Sequence, residues 1–323
     1  MKNLSLTLLL LIASFSIKAQ SYVTIPDSSF VYWLNVNIPS AMVGNQMDTS
    51  DVAVSTLTTM DVSSNCIRDL NGIQYFDSLQ TLNCTNNKID TILNLPDSLQ
   101  TLICAANWLT YLMEIPDSVS YFDCSMNQLD SLPTLPTNLL HLDCHNNSLD
   151  SLPILSNSIL FFDCSGNQLT TLPSLPIFLP KLNCAENQLT ELPALPNTIT
   201  SIYCENNLID SLPVLPPLLD TLSCGSNQLT SLPILPSSLT DLECYFNQIT
   251  SLPALPSSLI TLVCGGNLLT TLPTLPSSLI TLKCYSNQLT FLPTLPSALS
   301  YLDCGSNLIS SLPALPSSLT YLD

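Results

Sequence analysis

From Cys84 to Cys304 a cysteine recurs every 20 residues, twelve times, in the shared frame L-x-x-L-x-C-x-x-N-x-L-x-x-L-P-x-L-P-x-x, from which single units depart at one proline. A fixed period of this length predicts a solenoid, one coil per repeat, in which each coil buries its apolar side chains only by stacking on its neighbours. The framework residues are then committed to stacking, and recognition is left to the variable places between them. The 20-residue units start at Leu79, Leu99, Val119, Leu139, Ile159, Leu179, Ile199, Leu219, Leu239, Leu259, Leu279 and Leu299, and the twelfth is complete at Ser318. A 22-residue unit precedes them from Leu57, with Val62 in the place of the cysteine and Asn65 in that of the asparagine, so Cys66 stands outside the ladder. Leu319 to Asp323 open a thirteenth 20-residue unit that stops one residue before its expected cysteine, which reads as a fragment of a longer chain because an uncovered last coil would leave backbone groups and leucines bare.

Within one unit, alternation sends Leu239, Leu242 and Cys244 inward together with Ile249, Leu252 and Leu255. Asp241, Glu243 and Tyr245 face the other way. In-register stacking of these short strands predicts a parallel sheet on the concave side. The recurring asparagine, Asn247 in this unit, falls where the chain must leave the strand. Its amide has donors and acceptors enough to serve the backbone of two coils. The L-P-x-L-P half is extended and polyproline-like, since proline fixes φ and removes donors where no neighbouring strand needs them. Few helices are expected on the convex side.

Residues 1–19 read as a signal peptide: Lys2 precedes a leucine-rich run that closes with Ile17, Lys18 and Ala19. That run is shorter than the roughly 20 apolar residues a membrane span needs. The expected product is secreted or held at the cell surface, without membrane insertion. Residues 20–56 do not fit the repeat and read as an N-terminal cap, in which Asp27 caps a short helix presenting Phe30, Trp33 and Leu34 on one side. Residues 57–323 form the solenoid. After the signal segment only Arg68, Lys88, Lys181 and Lys283 remain against 24 acidic groups, a balance that repels phosphate backbones and argues against nucleic acid.

Thirteen cysteines in an exported chain ordinarily suggest disulfides. Here the thiol takes the place of an aliphatic core residue. Coils about 4.8 Å apart hold Cβ atoms farther apart than the roughly 3.8 Å a disulfide prefers, so buried free thiols are expected.

The frame resembles the leucine-rich repeat proteins, in particular the short bacterial class with L-P-x-L-P in its second half, found in secreted effectors of enteric pathogens. The resemblance covers residues 57–323 and implies a leucine-rich repeat solenoid with a concave parallel β-sheet. Asp69-Leu70-Asn71-Gly72-Ile73 in the first unit is similar to the internalin type of repeat. Those effectors are injected without a cleaved signal and carry a separate ligase domain. Neither feature is matched here, so their enzymatic activity is not carried over.

No H-E-x-x-H, G-x-S-x-G or phosphate loop occurs, and no cofactor is expected. The two histidines, His141 and His145, flank Cys144, but strand parity turns the thiol inward and the imidazoles outward, so they cannot share a proton. The chain is read as non-enzymatic. Its candidate ligand-binding patch is on the concave face of three adjacent coils: Tyr121, His141 and Phe161 in one row, Asp123, Asp143 and Asp163 in the next, with Met126 and His145 beside them. Aromatic groups among acids are common anchors for proteins and stack on sugars, so the expected partner is a protein or a glycan. Carboxylates spaced by one coil could bridge calcium, against the plainer reading of a solvated acidic stripe. A second aromatic set, Tyr203, Tyr245, Phe246 and Tyr285, is more dispersed. Small concave residues such as Thr221, Ser223, Gly225 and Ser226 suit an alternative role as a spacer or surface fibre. A further alternative is the substrate-selecting portion of a longer enzyme.

Overall fold

A computed structural model describes residues 21–323; the expected signal peptide lies outside the described residues. The solenoid is built on a fourteen-stranded parallel sheet running from Thr59–Asp61 to Tyr321–Leu322. Its strands are short because only three residues per coil are extended on this side, as in Asp241–Glu243, with the central leucine buried and its flanks half-exposed. Register never slips: His141 faces Tyr121 on one side and Phe161 on the other, and Asp143 faces Asp123 and Asp163. A one-residue slip would turn every leucine to solvent, which is why the buried face fixes the pairing.

The interior is one continuous apolar cluster from Ile25 to Leu302. Leu239, Leu242, Cys244 and Ile249 are fully buried, and Leu252 and Leu255 pack against them half-buried. All thirteen cysteines are free, and the eleven from Cys84 to Cys284 are buried. Several thiols touch the carbonyl of the next coil, as Cys144 Sγ does at 3.4 Å from Asp163 O.

The asparagines join coils in both directions. Asn127 donates from Nδ2 to Cys104 O and Cys124 O, each at 3.0 Å, and its Oδ1 accepts from Leu109 N at 3.0 Å. A second polar ladder has no counterpart in the sequence reading. Serines that close a repeat donate to the carbonyl of the leucine that opens the same repeat, at 2.6 Å for Ser238 on Leu219 and Ser258 on Leu239.

The convex half is extended and free of helix in the 20-residue units, with one departure. Thr91–Ile92 and Tyr111–Leu112 pair as a two-stranded parallel sheet. In these two units Leu93 and Met113 stand where every later unit has proline, so Met113 keeps the N–H that it donates to Ile92 O. Where proline removes that donor, no convex ladder forms.

At the N-terminal end, Gln46–Asp48 pairs antiparallel with Tyr22–Thr24 and Met42–Val43. Asp27 caps the helix Ser28–Asn37 by accepting from Phe30 N at 2.8 Å. Phe30 and Leu34 are buried, and Trp33 is partly so. The other Asp27 oxygen accepts from Arg68 N at 2.9 Å, joining this helix to the first repeat. Gly72 opens the 3-10 turn of that repeat at φ 111°, and Ile25 fills the space a Cβ would need.

Candidate ligand-binding face

Each coil presents four variable side chains on the concave side: two from the strand, one after the cysteine and one at the turn. The turn residue adopts the left-handed region in coil after coil, including Met126 at φ 55° and Phe246 at φ 48°. A large side chain there costs about 1–2 kcal/mol of backbone strain relative to glycine, offset by the ladders on either side.

The sheet brings Tyr121, His141 and Phe161 into a face-to-face stack. Ring centroids are 3.9 Å apart between Tyr121 and His141 and 4.1 Å between His141 and Phe161, with planes inclined by only 7° and 8°. Parallel pairing holds the Cα atoms one coil apart, so planar side chains at one place in the frame must lie flat on each other. Burial between two rings pushes the His141 imidazole below its ordinary pKa of 6.5, against the opposing pull of Asp143 and Asp123. Burial likewise raises the Tyr121 hydroxyl, helped by the same two carboxylates.

The aspartate row beside the stack is turned largely toward its own backbone. Asp123 Oδ1 accepts from Ser125 N at 3.0 Å and Ser125 Oγ at 2.6 Å, and Asp163 repeats this with Ser165 at the same distances. Asp143 Oδ1 lies 2.6 Å from His145 Nδ1. Burial raises the Asp143 carboxyl despite the lowering effect of His145. Among the described residues, no group of three or more histidine, cysteine, aspartate or glutamate side chains is placed to hold a metal ion. The carboxylates act as turn caps. Met126 is exposed at the edge of this patch.

Cys144 is turned away from both histidines. It is fully buried, and burial pushes its thiol well above its ordinary pKa. A protonated inward thiol has no route to an imidazole on the opposite face.

The patch extends one coil further than the sequence reading placed it. Asn183 donates to Asp163 Oδ2 at 2.7 Å, and Lys181 continues the aromatic row with its ammonium 4.6 Å from the Tyr203 ring centroid. Lys181, Asn183 and Tyr203 with Ser165, Gly166, Glu186 and Glu205 line a shallow hollow of about 420 Å³. The signal for it was present in register: both residues occupy the rows that hold Phe161 and Asp163.

The second aromatic set divides. Tyr203 stays with Lys181, whereas Tyr245, Phe246 and Tyr285 meet edge-to-face, with Phe246 5.8 Å from Tyr245 and 6.2 Å from Tyr285. Tyr245 and Tyr285 belong to coils 40 residues apart in sequence, and the small Gly265 between them lets the set close up.

No family model and no curated protein matches the chain. Solved structures do. YopM from Yersinia enterocolitica is 35% identical with a TM-score of 0.80, over 83% of this chain and 60% of that one. YopM from Yersinia pestis, a leucine-rich effector protein, is 30% identical with a TM-score of 0.62, over 82% of this chain and 87% of that one. The chain belongs to the bacterial leucine-rich repeat proteins. A third neighbour, the functional domain of InlJ from Listeria monocytogenes, includes a cysteine ladder; it is 25% identical with a TM-score of 0.72, over 95% of this chain and 72% of that one. The chain spans 60% of the length of the first of these neighbours. The leucine-rich repeat fold shared with them is an interaction scaffold. No helix among the described residues is long and apolar enough to cross a membrane.

Proposed function

We propose that this chain is an exported, non-enzymatic recognition protein that binds a protein or a glycan through its concave face. Tyr121, His141 and Phe161 are the anchors, Asp123, Asp143 and Asp163 the polar rim, and Met126 and His145 the flank. One observation carries the reading: three planar rings stacked on three successive coils beside a row of carboxylates. Core packing gives no reason for these rings, because the leucines and cysteines on the opposite face already complete the interior. Stacked rings lose little rotamer freedom on binding and offer a large apolar area with polar groups at its border, the usual composition of an interface anchor.

Export rests on the N-terminal segment, with its lysine, apolar run and small-residue close. The excess of acid over base sets the partner's character, since phosphate polymers are repelled. Absence of reaction chemistry rests on thiols that are buried and held protonated, with imidazoles on the other face.

The test is capture on the immobilised chain, from a host-protein extract and from a glycan array. The triple variant Tyr121→Ala, His141→Ala, Phe161→Ala should lose at least about 30-fold in affinity for the captured partner, taking roughly 1 kcal/mol or more per truncated anchor with incomplete additivity. Undiminished capture by the variant would reject the patch. Blank results on both screens would favour a spacer whose coils only set reach.

A further inference from the structure

The Tyr245, Phe246 and Tyr285 cluster has a floor made for it. A Cβ built on Gly225 would lie 2.5 Å from the Tyr245 ring, and one on Gly265 would lie 2.5 Å from the Tyr285 ring. Neither glycine has a positive φ, so neither is required by its backbone conformation. Both supply room for a tyrosine of the following coil to lie flat. Gly266, which sits at φ 66° and so suits glycine on backbone grounds as well, leaves room for Phe246 of the preceding coil, with a Cβ-to-ring approach of 2.2 Å. The rings bedded in this way are not buried: Phe246 is 55% exposed, and the tyrosines are half-exposed.

Their geometry is a corner. Phe246 is inclined 84° to Tyr245 and 72° to Tyr285. A saccharide stacks best on a single plane, whereas a cation is held by ring faces that converge from several directions. The electrostatics also point to a cation. Glu205 and Glu243 both act on the Tyr245 hydroxyl, which burial raises first and these carboxylates raise further. Glu205 Oε2 is shielded from solvent and accepts no hydrogen bond within the described protein. A buried carboxylate oxygen without a donor is costly unless something supplies one.

The chain's own lysines illustrate the chemistry. Lys88, Lys181 and Lys283 each hold their ammonium over a ring, at 6.0 Å from Trp108, 4.6 Å from Tyr203 and 5.1 Å from Tyr301. Lys283 shares a coil with Tyr285 but extends over Tyr301 instead. No lysine or arginine among the described residues lies over the three-ring corner.

We propose that Tyr245, Phe246 and Tyr285, with Glu205 and Glu243, form a second docking site that takes an arginine or lysine side chain from a basic segment of a partner protein. The rings attract the cation through their negative faces, and the carboxylates supply the countercharge and the acceptor. The acidic surface, with a formal net charge of −18, steers such a segment toward the site. Its rings are distinct from the Tyr121 stack, and the two sites adjoin at Glu205, which also borders the hollow beside Lys181 and Tyr203.

The test uses the full chain and two probes by titration calorimetry: an acetylated peptide carrying four arginines, and the same peptide with citrulline in their place. The arginine peptide should bind and the citrulline peptide should be at least about tenfold weaker. Phe246→Leu keeps bulk and backbone strain but removes the quadrupole. It should weaken the arginine peptide about tenfold, as should the pair Tyr245→Leu, Tyr285→Leu, with unchanged thermal unfolding of the exposed Phe246 variant as the folding control. Gly265→Ala keeps every ring but displaces Tyr285, and should also weaken binding. Glu205→Gln should reduce affinity, whereas Tyr121→Ala should not. Equal binding of the two peptides, or ring variants that bind as well as the parent, would overturn the proposal. So would a result in which the ring variants lose a neutral oligosaccharide instead of the arginine peptide.

Discussion

Replacing Asn187 with alanine tests the logic of the asparagine ladder, because the structure distributes the loss unevenly. The Nδ2 group donates to Cys164 O at 3.0 Å, Ala185 O at 3.1 Å and Cys184 O at 3.2 Å, while Oδ1 accepts from Leu169 N at 3.0 Å. The three carbonyls each keep another donor: Asn167 Nδ2 for Cys164, Gly166 N for Ala185, and Asn207 Nδ2 for Cys184. Leu169 N has no second acceptor of this kind. A buried N–H left without an acceptor costs about 1–3 kcal/mol, and three further bonds lost to carbonyls that stay partly satisfied add a few tenths each. The expected destabilisation is therefore about 3 kcal/mol. It should appear in urea unfolding and, more specifically, as faster hydrogen exchange of the Leu169 amide than of amides several coils away. In a solenoid each coil contacts only its neighbours, so the loss should stay local. A loss below about 1 kcal/mol with Leu169 protection intact would refute the claim that this amide depends on the next coil's side chain.

Further expectations follow from the thiols, the imidazole stack and the convex prolines. A maleimide reagent applied to the native chain should modify exposed Cys66 readily and half-exposed Cys304 slowly, sparing the eleven buried thiols until denaturant is added without reductant; protection of most thiols after denaturation would contradict free cysteines. His141 has a folded pKa below its ordinary 6.5, so its neutral form is favoured in the folded state; its share of stability is present above that pH and lost as pH falls through the depressed value. His141→Phe should therefore flatten the decline in melting temperature between about pH 7.5 and 5, and an unchanged decline would place its cause elsewhere. Leu93→Pro with Met113→Pro gives the first two units the proline of the later ones. Because only one long bond, 3.5 Å from Met113 N to Ile92 O, is lost, stability should change by less than about 1 kcal/mol, with stiffening of the unfolded chain compensating. A larger drop on urea unfolding would show that the convex pairing matters.

Much of the molecule was readable before any coordinate. The period implied coils, alternation implied which residues face in, and the place of asparagine at the strand exit implied a polar ladder; each follows from rules that act within a few residues. The three aligned rings were also legible, because in-register stacking converts a spacing of 20 residues into contact. Other features were not. Asp123 and Asp163 read as a solvated acidic stripe with calcium bridging as the lesser alternative, and neither reading foresaw that the serines two residues on take one carboxylate oxygen of each. The closing serine of the repeat has no assigned role in the sequence reading, because only the folded coil brings the carbonyl of its opening leucine against that hydroxyl.

What the sequence determined alone is the repeating interior: leucine and cysteine recur at one spacing, the hydrophobic effect needs them inside, and a single register satisfies every coil. What tertiary structure decided is how side chains from different coils combine on the outer surface. Tyr245 and Tyr285 are separated by a whole intervening coil, and only the two glycines beneath their rings let them converge on Phe246. The burial that orders the core acts on every repeat alike. The face that meets other molecules depends on which small residues leave room beside large ones, a relation between neighbouring coils that no single repeat contains.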